Sequence, residues 1–112
     1  MRRTKKLHSE NIEEYKIGNM IFSYTNLKIT TPTETFSITQ KESDLLRFLY
    51  EHKNNVVKRE EVLLNVWGKD DFFLGRSMDV YMTKLRKYLK QDPYTVLETI
   101  HGIGYRFTVQ IP

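Results

Sequence analysis

The sequence predicts an α+β domain in which antiparallel strands come first, three helices follow and a β-hairpin closes the chain. Three observations carry that prediction. Short alternating apolar runs, separated by turn residues, fill the stretch from Tyr15 to Ile38. A capping box at Thr39-Gln40-Lys41-Glu42 then opens a region of helical periodicity. Last, the alternating runs Val96 to Ile100 and Tyr105 to Val109 flank Gly102-Ile103-Gly104.

The elements follow in order. Residues 1–14 show no apolar periodicity and read as a polar lead-in or linker, which leaves 15–112 as one domain. Tyr15-Lys16-Ile17 leads through a Gly18-Asn19 turn into Met20-Ile21-Phe22-Ser23, and Leu27-Lys28-Ile29 and Phe36-Ser37-Ile38 alternate on either side of Thr31-Pro32-Thr33. These runs make a small meander with one apolar face. Thr39 accepts from an amide of the first helical turn while Glu42 reaches back. Behind this cap, Leu45, Leu46, Phe48 and Leu49 form a helical stripe, and Asn54-Asn55 suits a left-handed stop. Val56-Val57 reads as an extended link. Arg59 to Trp67 is a second helix, ended by Gly68, and Lys69 to Gly75 reads as a loop. A third helix spans Arg76 to Gln91, closed by Asp92-Pro93.

Composition bounds the function. The chain has 112 residues, enough for one self-sufficient core, and Tyr and Phe together number 13, which argues against disorder. It contains no Cys, which excludes a disulfide framework and Cys-ligated metal and fits a reducing cytosol. No apolar run approaches the roughly 18 residues that span a bilayer, so no membrane partner is expected.

The formal net charge is +4, and its placement says more than its sum. The N-terminal cations Arg2, Arg3, Lys5 and Lys6 nearly cancel against Glu10, Glu13 and Glu14. From Arg76 to Gln91, five cations (Arg76, Lys84, Arg86, Lys87 and Lys90) face one acid, Asp79, a surplus equal to the whole net charge. At about 100° per residue, Met78, Met82, Leu85 and Leu89 fall within about 60° of one another and form a core stripe. The opposite face holds Arg76, Val80, Thr83, Lys84 and Lys87, with Arg86 on one flank and Tyr81 and Tyr88 on the other. An ordinary solvated helix intersperses Glu for i,i+4 pairs; this one has none. The major groove, about 12 Å wide, admits such a helix, and Val80 amid the cations suits packing on a thymine methyl.

Helix, link, helix, loop, basic helix and hairpin is the order of a winged helix-turn-helix. Residues 36–107 resemble the winged-helix effector domain of OmpR/PhoB-type response regulators, and the strands before them extend the resemblance to 15–112. The matching stretches are Ile38-Thr39-Gln40-Lys41-Glu42 with Leu45-Leu46, Lys58-Arg59-Glu60 with Val66-Trp67-Gly68, and Arg76-Ser77-Met78-Asp79-Val80-Tyr81-Met82 with Leu85-Arg86-Lys87. To these is added the wing, Thr99-Ile100-His101-Gly102-Ile103-Gly104-Tyr105-Arg106-Phe107. The strands from Tyr15 match the N-terminal four-stranded antiparallel sheet that sets this family apart from other winged helices.

The resemblance implies sequence-specific binding of double-stranded DNA by the effector domain of a bacterial two-component transcriptional regulator, in the cytoplasm at the nucleoid. Helix 76–91 would enter the major groove and wing 99–105 the adjacent minor groove. Val80 and Lys84 would face bases, with Arg76, Thr83 and Arg86 on phosphates, and Ser77, Tyr81 and Lys87 completing the face. Thr83 and Lys84 stand where many relatives carry arginine. Trp67 would offer its indole N–H to a phosphate while anchoring the helices, and Thr99 and Tyr105 would donate hydroxyls. The wing tip, where relatives place an arginine for the minor groove, is His101 here. Arg106 reads as a strand-face partner. A receiver domain would precede this one, under a sensor kinase, with residues 1–14 as the linker stub; the isolated domain would be a monomer that binds direct repeats in tandem.

Loop 69–75 combines Asp70-Asp71 with Phe72-Phe73. Acids suit DNA poorly, whereas exposed aromatic residues beside acids suit a protein. In the resembled family this loop is where activators contact RNA polymerase, so polymerase or a receiver domain is the expected partner of Asp70, Asp71 and one of Phe72 and Phe73, the other Phe tucking back under the loop onto the core. The alternative function is a winged helix used as a protein-interaction module.

An enzyme is not expected, nor a cofactor or metal. His8, His52 and His101 are scattered, Gly102-Ile103-Gly104 lacks the third glycine of a dinucleotide loop, and Asp70-Asp71 has no third ligand in view.

Overall fold

The computed structural model describes residues 13–68 and 72–110. Strands β1 (Glu14–Ile17), β2 (Met20–Ser23), β3 (Lys28–Thr30) and β4 (Thr35–Ser37) form an antiparallel sheet in sequence order. Its period-two pattern sends Ile17, Met20, Phe22 and Ile29 into the core. Helix α1 (Gln40–Glu51) follows, opened by the expected cap: Thr39 Oγ1 accepts from the Glu42 N–H at 3.2 Å, and the Glu42 carboxylate accepts from the Thr39 N–H at 2.7 Å. Asn54 turns the chain out of α1 at φ 68°, the left-handed stop read from the sequence.

Val56 and Val57 do more than link. Val56–Lys58 is a strand, β5, whose partner lies at the far end of the chain. Helix α2 (Arg59–Val62) continues into a π-helical turn at Leu63–Trp67, and Gly68 ends it at φ 88°. That wider turn departs from the plain helix expected over 59–67.

Helix α3 spans Phe72–Leu89, so it begins at Phe72 rather than Arg76 and ends at Leu89 rather than Gln91. The expected loop 69–75 is therefore corrected: Phe72, Phe73, Leu74 and Gly75 form the first turn of α3. Gly75, read as loop, is buried inside the helix. A Cβ there would stand 2.8 Å from an Arg59 guanidinium nitrogen, so glycine lets α2 and α3 approach closely.

Strands β6 (Thr95–Ile100) and β7 (Gly104–Val109) make the expected hairpin, and β7 pairs on its other side with β5, giving the order β5-β7-β6. Gly104 lies against β5, where a Cβ would sit 1.9 Å from the Val57 carbonyl oxygen.

One core joins these parts. Met78, Met82, Leu85 and Leu89 are all buried, as the helical wheel requires, together with Leu45, Leu46 and Leu49 of α1, Val62 and Leu63 of α2, and Phe107 of β7. Each such side chain contributes about 1.5–3 kcal/mol relative to remaining in water. Phe36 of β4 packs on Tyr88 of α3 with ring centroids 5.1 Å apart. The buried Asp92 carboxylate accepts from the Asn19 N–H in the β1–β2 turn at 2.5 Å and from the Tyr94 N–H at 2.7 Å. The N-terminal sheet and the end of α3 are thereby joined by both apolar and polar contact.

Candidate nucleic-acid interface

Burial of its apolar stripe turns the opposite side of α3 to solvent. Arg76, Val80, Thr83, Lys84 and Lys87 are all exposed. Val80 is 56% exposed at the middle of this cationic surface. Tyr81 and Ser77 are half-buried along one edge. The Lys84 ammonium lies 5.7 Å from the centroid of the Tyr81 ring, which in turn packs on Trp67 at 5.7 Å. Lys41 of α1 completes the stack. Its Nζ sits 5.4 Å from the Trp67 ring centroid and donates to the Val66 carbonyl at 3.0 Å. Trp67 is half-buried, so it serves as an anchor between helices while its edge reaches the surface.

The other edge of α3 faces the wing. Arg86 directs Nε to the Leu97 carbonyl at 3.1 Å and a terminal nitrogen to Thr99 Oγ1. Through these two bonds Arg86 ties α3 to β6. Thr99 accepts in this pair, so its own hydroxyl hydrogen can still serve a phosphate. Thr83 is the reverse case. Its hydroxyl donates to the Asp79 carbonyl at 3.0 Å, a bond within its own helix. His101 and Ile103 are exposed at the wing tip, where Gly102 turns at φ 77°. Arg106 pairs with Glu98 across the hairpin at 2.8 Å, as its strand-face reading requires.

Among the described residues, Tyr105 lies deepest of those expected in the site. It is 3% exposed, and its hydroxyl accepts from Arg59 Nη1 at 2.7 Å and donates to Asp79 Oδ1 at 3.3 Å. Its ring and these two bonds make it part of the support beneath the surface. Burial pushes the Tyr105 hydroxyl above its ordinary pKa.

That support centres on Arg59, which the sequence marked as a helix start within a matching stretch but gave no role. Its guanidinium donates to both Asp79 carboxylate oxygens, at 2.8 and 3.3 Å, and to the Gly75 carbonyl at 2.9 Å. Its hydrogen bond holds the Asp79 carboxyl below the ordinary carboxylate range. The single acid of segment 76–91 is thus neutralised by a neighbouring helix, and the exposed face of α3 keeps its cationic character. The available signal was that lone acid: a carboxylate on an otherwise cationic helix needs a partner.

Asp70 and Asp71 lie outside the described residues. Phe72 and Phe73 fall in the first turn of α3 rather than in a loop. Among the described residues, no group of three His, Cys, Asp or Glu side chains could hold a metal, and no helix is long and apolar enough to cross a membrane.

A four-stranded sheet, a helix-turn-helix with an exposed cationic third helix, and a wing beside it define a winged-helix domain of the response-regulator type. Sequences described as "Transcriptional regulatory protein, C terminal" match residues 33–107, and the chain belongs to that family. Transcriptional regulatory protein RprY of Bacteroides fragilis (strain YCH46) is 37% identical over 112 residues, which is 100% of this chain and 48% of that protein. The chain therefore spans about half the length of that relative. Among solved structures, the DNA-binding domain of Bacillus subtilis CssR is 36% identical with a TM-score of 0.60, covering 71% of this chain and 89% of that one. The DNA-binding domain of Klebsiella pneumoniae RstA, crystallised in complex with the RstA box, is 25% identical with a TM-score of 0.70, covering 86% and 97%.

Proposed function

We propose that this domain binds double-stranded DNA sequence-specifically, as the effector domain of a two-component transcriptional regulator in the bacterial cytoplasm. Helix α3 lies in the major groove, with Val80 and Lys84 toward bases and Arg76 and Lys87 toward phosphates. The wing, with Thr99 and His101, meets the adjacent minor groove. The observation that carries this reading is the exposed face of α3: cationic, with Val80 at its centre and its only acid paired away. Membership of a family of regulatory-protein C-terminal domains supports it over the protein-interaction module, and it is a binding role rather than an enzymatic one.

In the full-length protein we place a receiver domain ahead of residues 1–14, under a sensor kinase. The domain is a monomer alone and occupies direct repeats in tandem. The segment from Lys69 into the start of α3, with Asp70, Asp71, Phe72 and Phe73, contacts RNA polymerase.

Selection of bound duplexes from a random pool tests the central claim. A recurring motif whose binding weakens steeply with salt is expected. Failure to enrich any sequence, or equal affinity for all of them, would overturn it.

A further inference from the structure

We propose that Arg59 is a positioning residue for DNA recognition: from α2 it fixes the wing against α3, so that the two elements meet DNA as one body. This rests on the DNA-binding reading above.

Arg59 reaches the wing twice. Its backbone N–H donates to the Ile103 carbonyl at 3.1 Å, in the wing turn, and its Nη1 donates to the Tyr105 hydroxyl on β7 at 2.7 Å. It reaches α3 through both Asp79 oxygens and the Gly75 carbonyl. The Tyr105 hydroxyl closes the circuit onto Asp79 at 3.3 Å. One planar guanidinium therefore sets α2, α3 and β7 at fixed mutual distances, and its rigid fork suits that task as the flexible point charge of lysine does not. Gly75 leaves the room the guanidinium occupies, since a Cβ there would stand 2.8 Å from an Arg59 terminal nitrogen.

The functional demand is geometric. Major and minor grooves, about 12 and 6 Å wide, alternate at a spacing set by the duplex. A helix and a wing reach both at once only if their separation is held to a fraction of an ångström, about 0.5 Å. Both terminal nitrogens of Arg59 are engaged within the protein, on the Asp79 flank of α3 rather than on the face carrying Val80 and Lys84. Arg59 therefore acts through the wing and the helix and not by touching phosphate.

The test uses this chain and a duplex that the unaltered chain selects from a random pool. Arg59→Lys keeps the charge and loses the fork. It should lower affinity for that duplex about tenfold, as removal of a shared network node does. Hydroxyl-radical protection of the minor groove at the wing should fade while protection around α3 persists. Tyr105→Phe keeps the core ring and removes only the hydroxyl; it should weaken the same wing protection, and the double variant should lose no more than Arg59→Lys alone. Near-unaltered binding by Arg59→Lys, additive losses, or a wing footprint that fades no faster than that of α3 would each overturn the proposal. If Arg59→Lys fails to fold by circular dichroism, Tyr105→Phe decides: an intact wing footprint overturns the proposal. An unaltered chain that selects no duplex overturns the DNA-binding reading and the proposal with it, whereas failure confined to the variants overturns the proposal alone.

Discussion

Arg59 and Asp79 meet at 2.8 Å across the junction of α2 and α3, joining residues 20 positions apart. The pair has a pH signature. Unfolded, Asp79 titrates near its ordinary 3.8; folded, it titrates lower, because Arg59 donates to its charged form. The native state then binds fewer protons than the unfolded one as acid is added. The pair's stabilisation is complete above 3.8 and is lost as pH falls through the lower native value. Urea midpoints followed downward from neutrality should drop in this range, and Asp79→Asn should flatten the drop. An acid limb identical in the two proteins would remove the pair from the account.

Lys84→Ala should cost about 1–3 kcal/mol on a selected duplex and relax preference at one base position. Lys84 sits beside Val80 at the centre of the exposed face. Equal losses on selected and random duplexes would reduce it to a phosphate contact.

Arg76→Ala should weaken binding to every duplex alike and lower the dependence of log K on log salt by about one. An unchanged slope would rule out direct phosphate contact. Arg86→Ala should behave differently, because Leu97 and Thr99 lose their donor. It should lower thermal stability as well as affinity, and a variant that melts like the unaltered chain would show that its bonds to the wing carry no weight.

Gly104→Ala should destabilise the domain by about 3 kcal/mol, the upper range for overpacking, because the new methyl meets the Val57 carbonyl and β5 must part from β7. Denaturant unfolding measures it. A loss near that of an ordinary exposed Gly→Ala change would mean that the strands yield easily.

Asp70→Ala combined with Asp71→Ala, made in the full-length regulator, should leave DNA affinity intact and reduce transcription activation. Unchanged transcription in a purified polymerase assay would deny this segment a polymerase partner.

The fold was legible wherever its cause was local. Thr39 and Glu42 announce the start of α1 within four letters, and Met78, Met82, Leu85 and Leu89 announce the buried side of α3 by spacing alone. What escaped depends on distant partners. Phe72 to Gly75 read as loop because glycine usually breaks a helix, and nothing nearby reveals that Arg59 fills the space beside it. Val56-Val57 is too short to declare itself a strand without β7. Tyr105 belongs to a wing motif that carries no sign of burial, yet it is buried and its hydroxyl bonds to residues 46 and 26 positions away. The exposed face of α3 was readable from charge pattern; the support beneath it was not, since hydrogen bonds between elements leave no period in a sequence.

The pairing of β5 with β7 also sets an order of events in synthesis. A chain made from its N-terminus completes α3 at Leu89, while the strand that must flank β5 is finished only at Val109. The Asn54 side chain waits 55 positions for the Val109 amide, and Arg59 waits 46 for Tyr105. A nascent chain halted between Leu89 and Tyr105 carries every helix of the described fold and still lacks the strand that registers them. Competence arrives with the final hairpin, so a chain shortened from its C-terminus loses the geometry of its reading head before it loses the head itself.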